Sequence, residues 1–456
     1  MSGAFLKGCH RVGGVITRSP DLSAIVARRV PDELNEIAAA HGADLSSAYK
    51  KYLKGRIRTV RAYDVAGVDI CFFGKTANNM KEFTFLLEVL DGQGVRYTHC
   101  FLMEDLNSFP IAAAAVPRRL SDIVFDGSAQ WIRESPQVTG THLHQHLRYA
   151  RTFLGVLYSF ERKRHLLPRV AVVANDHSPA QVGFAAAMQS LGVPVIYVQH
   201  AQVSEIFPPL DFEAAVLRNA VSLDTYRRIG PVGGQTFVLS RSRGPTLFDK
   251  VLERPKDNVI VGIYPTSYTV PGAVRRAVDA LRSNPAVDDY FVKPHPNSPE
   301  RFSEEEAEYL RVRGSIPDQR HVAIVGNSSI VVELLGRGHV VHQLFELDRI
   351  KPDYYGFVRA GLVPAVEIED LGRSFWLNNF YDEAWLARAV QFEPAIAEDQ
   401  DLVKRELAAF LRDLLRRPRR LELRSRLLDL MRRSRVGGLL RLLTHGKLPR
   451  SLVGLF

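Results

Sequence analysis

Short apolar runs alternate with helical patterns along this chain, and that alternation constrains its fold more than any other feature. The runs VDICFFG at 68–74, RVAVVAND at 169–176 and VPVIYVQH at 193–200 have the length and composition of buried strands. A helical pattern occupies 179–191, between the last two runs. Strands that alternate with helices pair in parallel within one sheet. The first half of the chain therefore predicts an α/β domain with a parallel sheet.

A second series of the same kind follows a segment rich in Pro and Gly at about 230–256. Its apolar runs are NVIVGIYPTS at 258–267, DDYFVKPHP at 288–296, HVAIVGNSS at 321–329 and HVVHQLF at 339–345. A chain of 456 residues is also too long for one ordinary hydrophobic core. Together these observations predict two Rossmann-like domains that face one another across a cleft.

The predicted organisation has four parts, which differ in pattern and in charge. They are a helical or irregular N-terminal extension at 1–66, an N-terminal Rossmann-like domain at 67–235, a C-terminal Rossmann-like domain at 256–400 and a basic amphipathic tail at 401–456. The sequence has no internal repeat, and the tail is its only segment of biased composition.

The composition is that of a soluble globular protein, with 46% apolar and 24% charged residues. The three cysteines, Cys9, Cys71 and Cys100, lack CxxC spacing and are odd in number, which argues against a disulfide framework or a cysteine-based zinc site. The first residues lack the apolar core of a signal peptide, and no run of about 18 apolar residues occurs. We therefore expect a cytoplasmic protein without membrane spans.

The basic charge of the chain is concentrated at its C-terminal end. The formal net charge is +10, and 401–456 alone contains 15 Lys and Arg against 5 Asp and Glu. Leu and Arg recur there at helical spacing, which predicts a basic amphipathic surface suited to anionic lipid on the inner face of the cell membrane. A terminal helix packed on the core is the alternative. Nucleic acid is not expected, because LLRRPRRLELRSRLLDLMRRSRVGGLLRLL contains no Phe, Tyr or Trp to stack on bases.

Polar residues follow the predicted strands at the edge where open parallel sheets bind ligands. The pairs are Asp176 with His177, Gln199 with His200, Thr266 with Ser267, Lys293 with His295, and Ser328 with Ser329. Loop residues are polar by default, so one such pair has little weight. The recurrence of such pairs at successive strand ends predicts a ligand-binding site at this edge of the sheets.

Two of these strand ends carry distinctive motifs. In KPHP, the prolines restrict the residues before them to extended backbone, so the His295 side chain is held with little freedom. A structural histidine is the alternative. In GNSSIVVELLG a strand turns into a helix, and Ser328 or Asn327 is a predicted N-cap beside amide groups that could bind an anion. Glu333, one turn further, is expected either to accept a hydrogen bond from a ribose hydroxyl or to be a solvated glutamate.

KPHP followed by NSS resembles the His-Pro and Ser-Ser motifs of bacterial GT-B glycosyltransferases that use CMP-activated sugars, such as polysialyltransferases and capsule sialyltransferases. The chain is also similar to teichoic-acid CDP-glycerol glycerophosphotransferases, which carry QxxHG, HP and DYSS elements. The resemblance covers roughly 170–345. It departs from both families, since NDHS at 175–178 replaces the acidic motif of the sialyltransferases, and YVQHA and GNSS lack the final Gly and the Asp-Tyr pair.

The resemblance implies that the 67–235 domain binds the acceptor and that the 256–400 domain binds the nucleotide. The implied catalytic residues are Asp176 or His200 as the base, and His295 at the departing phosphate. The predicted nucleotide-binding residues are Lys293, His295, Pro296, Ser328, Ser329, Glu333, Thr266 and Ser267. The predicted acceptor-side residues are Lys75, Asn78, Asn79 and His177.

The expected activity is inverting transfer of a sugar from a CMP-linked donor to a hydroxyl of a bacterial surface glycan, such as capsule or lipopolysaccharide, or of its lipid-linked form. The nucleotide sugar is a substrate and no cofactor is expected. The sequence lacks HExxH and has no DxD motif in its second half, which favours a metal-independent site. GKT at 74–76 is not a Walker A loop, because six residues separate Gly67 from Gly74.

Two alternative functions remain open at this point. One is glycerophosphate or ribitol-phosphate transfer from a CDP-alcohol, which would use the same phosphate site but attack phosphorus instead of carbon. The other is a non-catalytic, membrane-docked glycan-binding or scaffold protein, in which the motif residues only cap and pack.

Overall fold

The computed structural model describes residues 1–417 except 41, 57–58, 61–67, 103–107, 110–115, 136, 162–163, 243–245, 254–258, 297–301, 378–379 and 397–398. The strands are β1 Thr59–Val60, β2 Ile70–Phe73, β3 His99–Leu102, β4 Ser108–Phe109, β5 Val170–Val173, β6 Val195–Val198, β7 Ala214–Leu217, β8 Gln235–Val238, β9 Val259–Tyr264, β10 Val287–Val292, β11 Val322–Val325 and β12 Val340–Gln343. The helices are α1 Ser2–Arg18, α2 Pro20–Ala27, α3 Asp32–Ala39, α4 Gly42–Arg56, α5 Ala77–Asp91, α6 Arg118–Glu134, α7 Gly140–Glu161, α8 Pro179–Ser190, α9 Ala220–Ile229, α10 Phe248–Val251, α11 Ala273–Ser283, α12 Glu304–Tyr309, α13 Ile330–Gly336, α14 Glu383–Ala389 and α15 Gln400–Arg416.

Two parallel sheets organise the chain. The first has six strands in the order β3-β2-β5-β6-β7-β8, and the second has four in the order β10-β9-β11-β12. In each sheet the strand that comes first in the chain, β2 or β9, lies in the interior. The next strand in the chain, β3 or β10, pairs on one side of it, and the remaining strands of the sheet lie on the other side. The order therefore reverses beside β2 and beside β9, which are the points where such sheets bind ligands. The predicted α/β, GT-B-like class with two Rossmann-like domains is confirmed.

The central strands are buried on both faces, as their continuous apolar sequences predict. All four residues of β2, β5 and β6 are buried, and Ile70 pairs with Val170 in register. Side chains that point to opposite faces of the first sheet belong to two different cores: Val173 packs with Tyr197 on one face, and Val172 packs with Ile196 on the other. A fully buried parallel sheet needs helices on both faces, and both are covered here.

The N-terminal segment is part of the first domain. Phe5, Cys9 and Val12 of α1 are at most 3% exposed and share a core with Val173. The hydroxyl of Tyr149 in α7 donates to the main-chain oxygen of Phe5 at 2.8 Å. The predicted extension at 1–66 therefore contains helices that complete the core of the adjacent domain.

The last described helix crosses back to the first domain. Leu407, Leu411 and Leu414 of α15 are at most 2% exposed and pack in the core on one face of the first sheet. The apolar face of the 401–416 segment is therefore covered by protein, as the packed-helix alternative expected. The remainder of the predicted tail, 418–456, lies outside the described residues. Within the described residues, no helix is both long enough and apolar enough to cross a membrane.

Two strands of the first sheet were not predicted. The AAVL run of β7 is short and has no clear helical pattern before it, and β8 begins at Gln235, where the sequence suggested the end of the domain. The predicted boundary at 235 consequently falls inside the last strand of the first sheet.

Candidate functional site

The two domains face one another across a cleft at the carboxyl ends of their central strands. This main cleft has a volume of about 1200 Å³, and a side pocket of about 340 Å³ opens beside it. Five of the described residues line both spaces, and we call this set the junction. The junction residues are Asn78, His200, His295, Ser328 and Ser329.

Most of the residues predicted from sequence come together here. Those that line the main cleft, the side pocket or both are Lys75, Asn78, His177, His200, Thr266, Ser267, Lys293, His295, Pro296, Ser328, Ser329 and Glu333. Asp176 and Asn79 line neither space.

Asp176 is buried behind the side pocket, at 1% exposure. Its carboxylate accepts hydrogen bonds from Nδ1 of His177 at 2.9 Å and from the hydroxyl of Tyr226 at 2.7 Å. Burial alone would raise the pKa of Asp176, but these hydrogen bonds and the nearby charge of Arg11 lower it below its usual value. Because the Asp176 carboxylate is buried and borders neither the main cleft nor the side pocket, it cannot contact an acceptor hydroxyl bound there. The prediction of Asp176 as the direct base is therefore corrected.

His177 is the group that Asp176 orients. The ionised carboxylate can only accept, so Nδ1 carries a proton, and in the neutral form of the ring Nε2 is the nitrogen with the lone pair. The ring is packed 4.3 Å from the ring of Phe207, centroid to centroid, and the side chain lines the side pocket. The Asp–His pair therefore presents a proton acceptor to the side pocket.

His200 is half-buried at the junction. Burial lowers the pKa of His200 to about 4, against the opposing effects of Glu82 and of a hydrogen bond with the main chain of Ala174, so its imidazole is neutral at pH 7. The main-chain oxygen of His200 accepts a hydrogen bond from Arg218 at 3.3 Å, which places a guanidinium beside the same end of the main cleft.

Lys293 and His295 extend from β10 into the main cleft. Burial lowers the pKa of the Lys293 ammonium; Glu333 opposes this effect, and the positive charge of Lys81 adds to it. Burial and the charge of Lys293 likewise lower the pKa of His295. Lys81 belongs to α5 of the first domain, so the main cleft is lined by lysines from both domains. An anion bound between them would relieve the repulsion between their charges.

The loop at 326–329, which we call the Ser-Ser loop, is supported by Asp348, a residue that was not predicted from the sequence. The buried carboxylate of Asp348 accepts hydrogen bonds from the hydroxyl of Thr266 and from the main-chain amide of Asn327. The burial of this carboxylate raises the pKa of Asp348. Thr266 is thus committed to the support of the loop, even though it also borders the side pocket.

The prediction of Ser328 or Asn327 as the N-cap of α13 is partly correct. The N-cap position is held by Ser329, which makes no side-chain capping bond, but the Ser328 hydroxyl accepts from the amide of Ile330, the first residue of the helix, at 3.4 Å. The Asn327 side chain instead accepts from the amide of Tyr354 at 3.0 Å. Ser328 and Ser329 also place hydroxyl groups at the junction. Glu333 on this helix borders the main cleft and forms an ion pair with Arg337 at 2.7 Å.

Asn79 has a structural role at the start of α5. Its side-chain oxygen accepts from the amide of Thr76 at 3.3 Å and from Gln181 at 3.2 Å, while its own amide donates to the Thr76 hydroxyl at 3.1 Å. This is a capping box, and Asn79 is 2% exposed. The acceptor-side prediction is therefore corrected for Asn79, whereas Lys75 and Asn78 border the main cleft.

A buried ion pair on the wall of the main cleft was also missed. Nε of Arg241 lies 2.5 Å from a carboxylate oxygen of Glu82, and the side chains are 9% and 7% exposed. The guanidinium also donates to the main-chain oxygen of Leu239 at 2.7 Å and lies 4.1 Å above the ring of Phe85. The partners are 159 positions apart, so no local pattern could reveal the pair.

Among the described residues, no group of three or more His, Cys, Asp or Glu is arranged to hold a metal ion. No family model and no curated protein matches the sequence. The solved structures that resemble the chain have low similarity. They include a glycotransferase of kitacinnamycin, with 11% identity over 76% of this chain and 98% of that chain at a TM-score of 0.43.

Two others are a UDP-GlcNAc 2-epimerase from Neisseria meningitidis bound to UDP-GlcNAc and the wall teichoic acid polymerase TagF. The epimerase has 12% identity over 75% of this chain and 98% of that chain, with a TM-score of 0.43. The polymerase has 10% identity over 81% of this chain and 93% of that chain, with a TM-score of 0.40. Values this low carry no conclusion about the reaction, so the function has to be argued from the site.

Proposed function

We propose that this protein is a glycosyltransferase that moves a sugar from a nucleotide-activated donor, CMP-linked by motif resemblance, to a hydroxyl group of a glycan. The observation that carries the proposal is the junction. There, hydroxyl and imidazole groups of the second domain meet Asn78 and His200 of the first domain, and the adjoining side pocket is bordered by His177 of the Asp–His pair.

The donor phosphate would bind in the main cleft between Lys81 and Lys293. His295, Ser328 and Ser329 lie at the adjoining junction and can donate hydrogen bonds to phosphate oxygens. Such preorganised donors and charges stabilise the negative charge that develops as the sugar–phosphate bond breaks. This arrangement supplies the stabilisation from protein groups, which agrees with the proposed independence from metal.

His177 would act as the general base. Its Nε2 takes the proton of the acceptor hydroxyl, and Asp176 stabilises the resulting imidazolium. The acceptor oxygen forms a bond to the anomeric carbon as the bond from that carbon to the phosphate oxygen breaks, which inverts the configuration. The phosphate leaves with the electron pair and remains between the two lysines. His200, whose low pKa makes it the weaker base, would instead contact the reacting groups at the junction.

The wider setting of the reaction is proposed from the motif resemblance and the sequence. The acceptor would be a bacterial surface glycan or its lipid-linked form, and the enzyme would work in the cytoplasm. Residues 418–456 would supply contact with anionic lipid at the inner face of the cell membrane, since they retain most of the basic charge.

A second function is also tested because the junction contains two histidines, His200 from the first domain and His295 from the second. Imidazoles on both sides of a phosphate suit attack at phosphorus, as in glycerophosphate or ribitol-phosphate transfer from a CDP-alcohol. The two reactions share the cleft and differ in the donor that is consumed.

The test is a donor panel of CMP-N-acetylneuraminic acid, CDP-glycerol and UDP-N-acetylglucosamine, read by thermal unfolding. A donor that binds only the folded state, at a free concentration of about 100 times its Kd, stabilises that state by about 2.7 kcal/mol. We expect stabilisation by the CMP-sugar, and its reduction to about 1.4 kcal/mol in K293A at the same donor concentration, because a tenfold weaker affinity is expected for that variant. The surface variant K250A is the matched control, because Lys250 is exposed and paired with Glu253. Stabilisation by CDP-glycerol alone would support phosphoryl transfer, and no response to any donor would support a non-catalytic protein.

A further inference from the structure

The two spaces at the site differ in charge. The main cleft is bordered by charged side chains that include Lys81, Arg241 and Glu333. The described residues that line the side pocket include no Asp, Glu, Lys or Arg. Two arginines of α1 near this pocket are engaged with main-chain oxygens, Arg11 with those of Asp176 and Pro209 and Arg18 with that of Phe207. A carboxylate or phosphate in the side pocket would thus lose water without gaining a cation, which is unfavourable.

The side pocket has an apolar wall. Val12, Val15 and Ile16 of α1 form part of it, and the ring of Phe207 lies beside His177. Both its volume, about 340 Å³, and its mixed lining fall in the range of small-molecule sites. The C–H faces of a sugar ring are apolar and would pack on such a wall.

One buried polar group borders the side pocket without a hydrogen-bond partner among the described residues. It is Oε1 of Gln145, from the first domain. The Gln145 side chain is more than nine-tenths buried. Buried polar groups without partners are rare because they cost stability. This oxygen is an acceptor, and the O–H group of a ligand hydroxyl is the donor that complements it.

We infer that the side pocket is the acceptor subsite and that it binds an uncharged pyranoside, with ring C–H groups on the α1 wall and a hydroxyl that donates to Oε1 of Gln145. The inference rests on the proposed glycosyl transfer and defines its acceptor. The accepting unit is then a neutral sugar, and neither a sialic acid nor a glycerophosphate. In this position a hydroxyl of the pyranoside faces His177.

The experiment compares two probes that differ in one group, phenyl β-D-glucopyranoside and phenyl β-D-glucuronide. Binding to the full chain is measured by calorimetry and by saturation-transfer NMR, with and without CMP. The glucopyranoside is expected to bind at least about tenfold more tightly, because the carboxylate of the glucuronide has no cation to meet. It is also expected to bind without competition from CMP, which would occupy the main cleft.

The variant Q145L tests the unpartnered oxygen. Because it removes a buried group that has no partner, it should leave the melting temperature unchanged or raised and should weaken glucopyranoside binding about tenfold. Q189L is the matched control, since Gln189 is exposed on α8. The preference between probes is measured on the unaltered protein, so it remains decisive if Q145L fails to fold.

Three results would overturn the inference: equal or tighter binding of the glucuronide, displacement of the glucopyranoside by CMP, or unchanged affinity in a folded Q145L. Nucleotide binding is scored separately in the same titrations. Failure of every nucleotide with glucopyranoside binding intact would count against the proposed transfer but not against the pocket's preference for neutral ligands.

Discussion

Nδ1 of His177 lies 2.9 Å from the carboxylate of its sequence neighbour Asp176, and only the histidine borders the side pocket. The carboxylate is further fixed by the hydroxyl of Tyr226 at 2.7 Å. A buried, oriented anion behind an accessible imidazole is an arrangement that holds one tautomer and stabilises the protonated ring.

The first prediction concerns this pair. H177A should lower kcat by about 10²–10⁴, because a general base contributes that much to the chemical step. D176N should also lower kcat with little change in donor KM, since it disturbs the tautomer and not the donor site. The double variant should be scarcely slower than H177A, because the residues act as a unit. Turnover close to normal in H177A, beside a large loss in H200A, would transfer the role of base to His200.

The second prediction concerns the facing lysines. K81A and K293A should each weaken donor binding, by about tenfold at low salt, because each removes one charge from the phosphate. The loss should shrink as the salt concentration rises, since the Debye length falls from about 10 Å at 0.1 M to about 3 Å at 1 M. Calorimetry with the donor measures both effects. Unaltered affinity in K81A would mean that the phosphate does not bridge the two domains.

The third prediction concerns the stability of the folded protein at acidic pH. Burial lowers the pKa of His200 and His342 to about 4, and that of His146 to about 3. A histidine whose pKa is lower in the folded state stabilises the fold fully above its unfolded pKa of about 6.5, and this stability is lost as pH falls toward 4. The free energy of unfolding should therefore decrease between pH 6.5 and pH 4, by about 1–2 kcal/mol per buried histidine at pH 5.

Urea titrations at a series of pH values measure this dependence. The variant H342L should flatten it, because a buried titrating group is removed. H165Q, at an exposed histidine, is the control and should follow the unaltered protein. An identical pH dependence in H342L would show that His342 does not contribute to it.

Sequence inspection succeeded where chemistry is encoded locally. The KPHP and GNSS motifs follow strands β10 and β11, and parallel pairing brings those strand ends to one edge of the sheet, so His295 and Ser328 both line the main cleft and the side pocket. It failed where the reason for a residue is a distant partner. Asp348 supports the Ser-Ser loop from beyond β12, and its role depends on a tertiary contact that no local spacing reveals.

The same limit explains the Asp176 error. The sequence indicates an acidic residue at a strand end, but whether its carboxylate faces solvent or the protein depends on helix α9, which supplies Tyr226. Strand β7, which precedes that helix, was itself missed. The roles of adjacent Asp176 and His177 could therefore not be separated without the packing around them.

The fourth prediction concerns the buried pair of Arg241 and Glu82. R241A should destabilise the protein by about 3–5 kcal/mol, because it leaves a buried carboxylate without its partner. The double variant R241M/E82L should recover much of that loss, since no buried charge remains. Chemical denaturation measures the free energy of unfolding for each protein. A single variant no less stable than the double one would show that Glu82 finds water or another partner when Arg241 is absent.

The last prediction separates the two halves of the C-terminal segment. A protein that ends at Arg417 retains α15 and should keep its melting temperature, whereas one that ends at Asp399 loses three buried leucines, Leu407, Leu411 and Leu414. Burial of each leucine contributes about 1.5–3 kcal/mol, so the shorter protein should be several kcal/mol less stable or unfolded.

If residues 418–456 bind anionic lipid, the protein that ends at Arg417 should no longer sediment with phosphatidylserine vesicles, while the full chain should do so in a salt-dependent manner. The full chain and the two truncated proteins are compared by thermal melting and by sedimentation. Equal sedimentation of the full chain and the Arg417 truncation would rule out the membrane role, because α15 has its apolar face committed to the first domain and offers no other amphipathic surface.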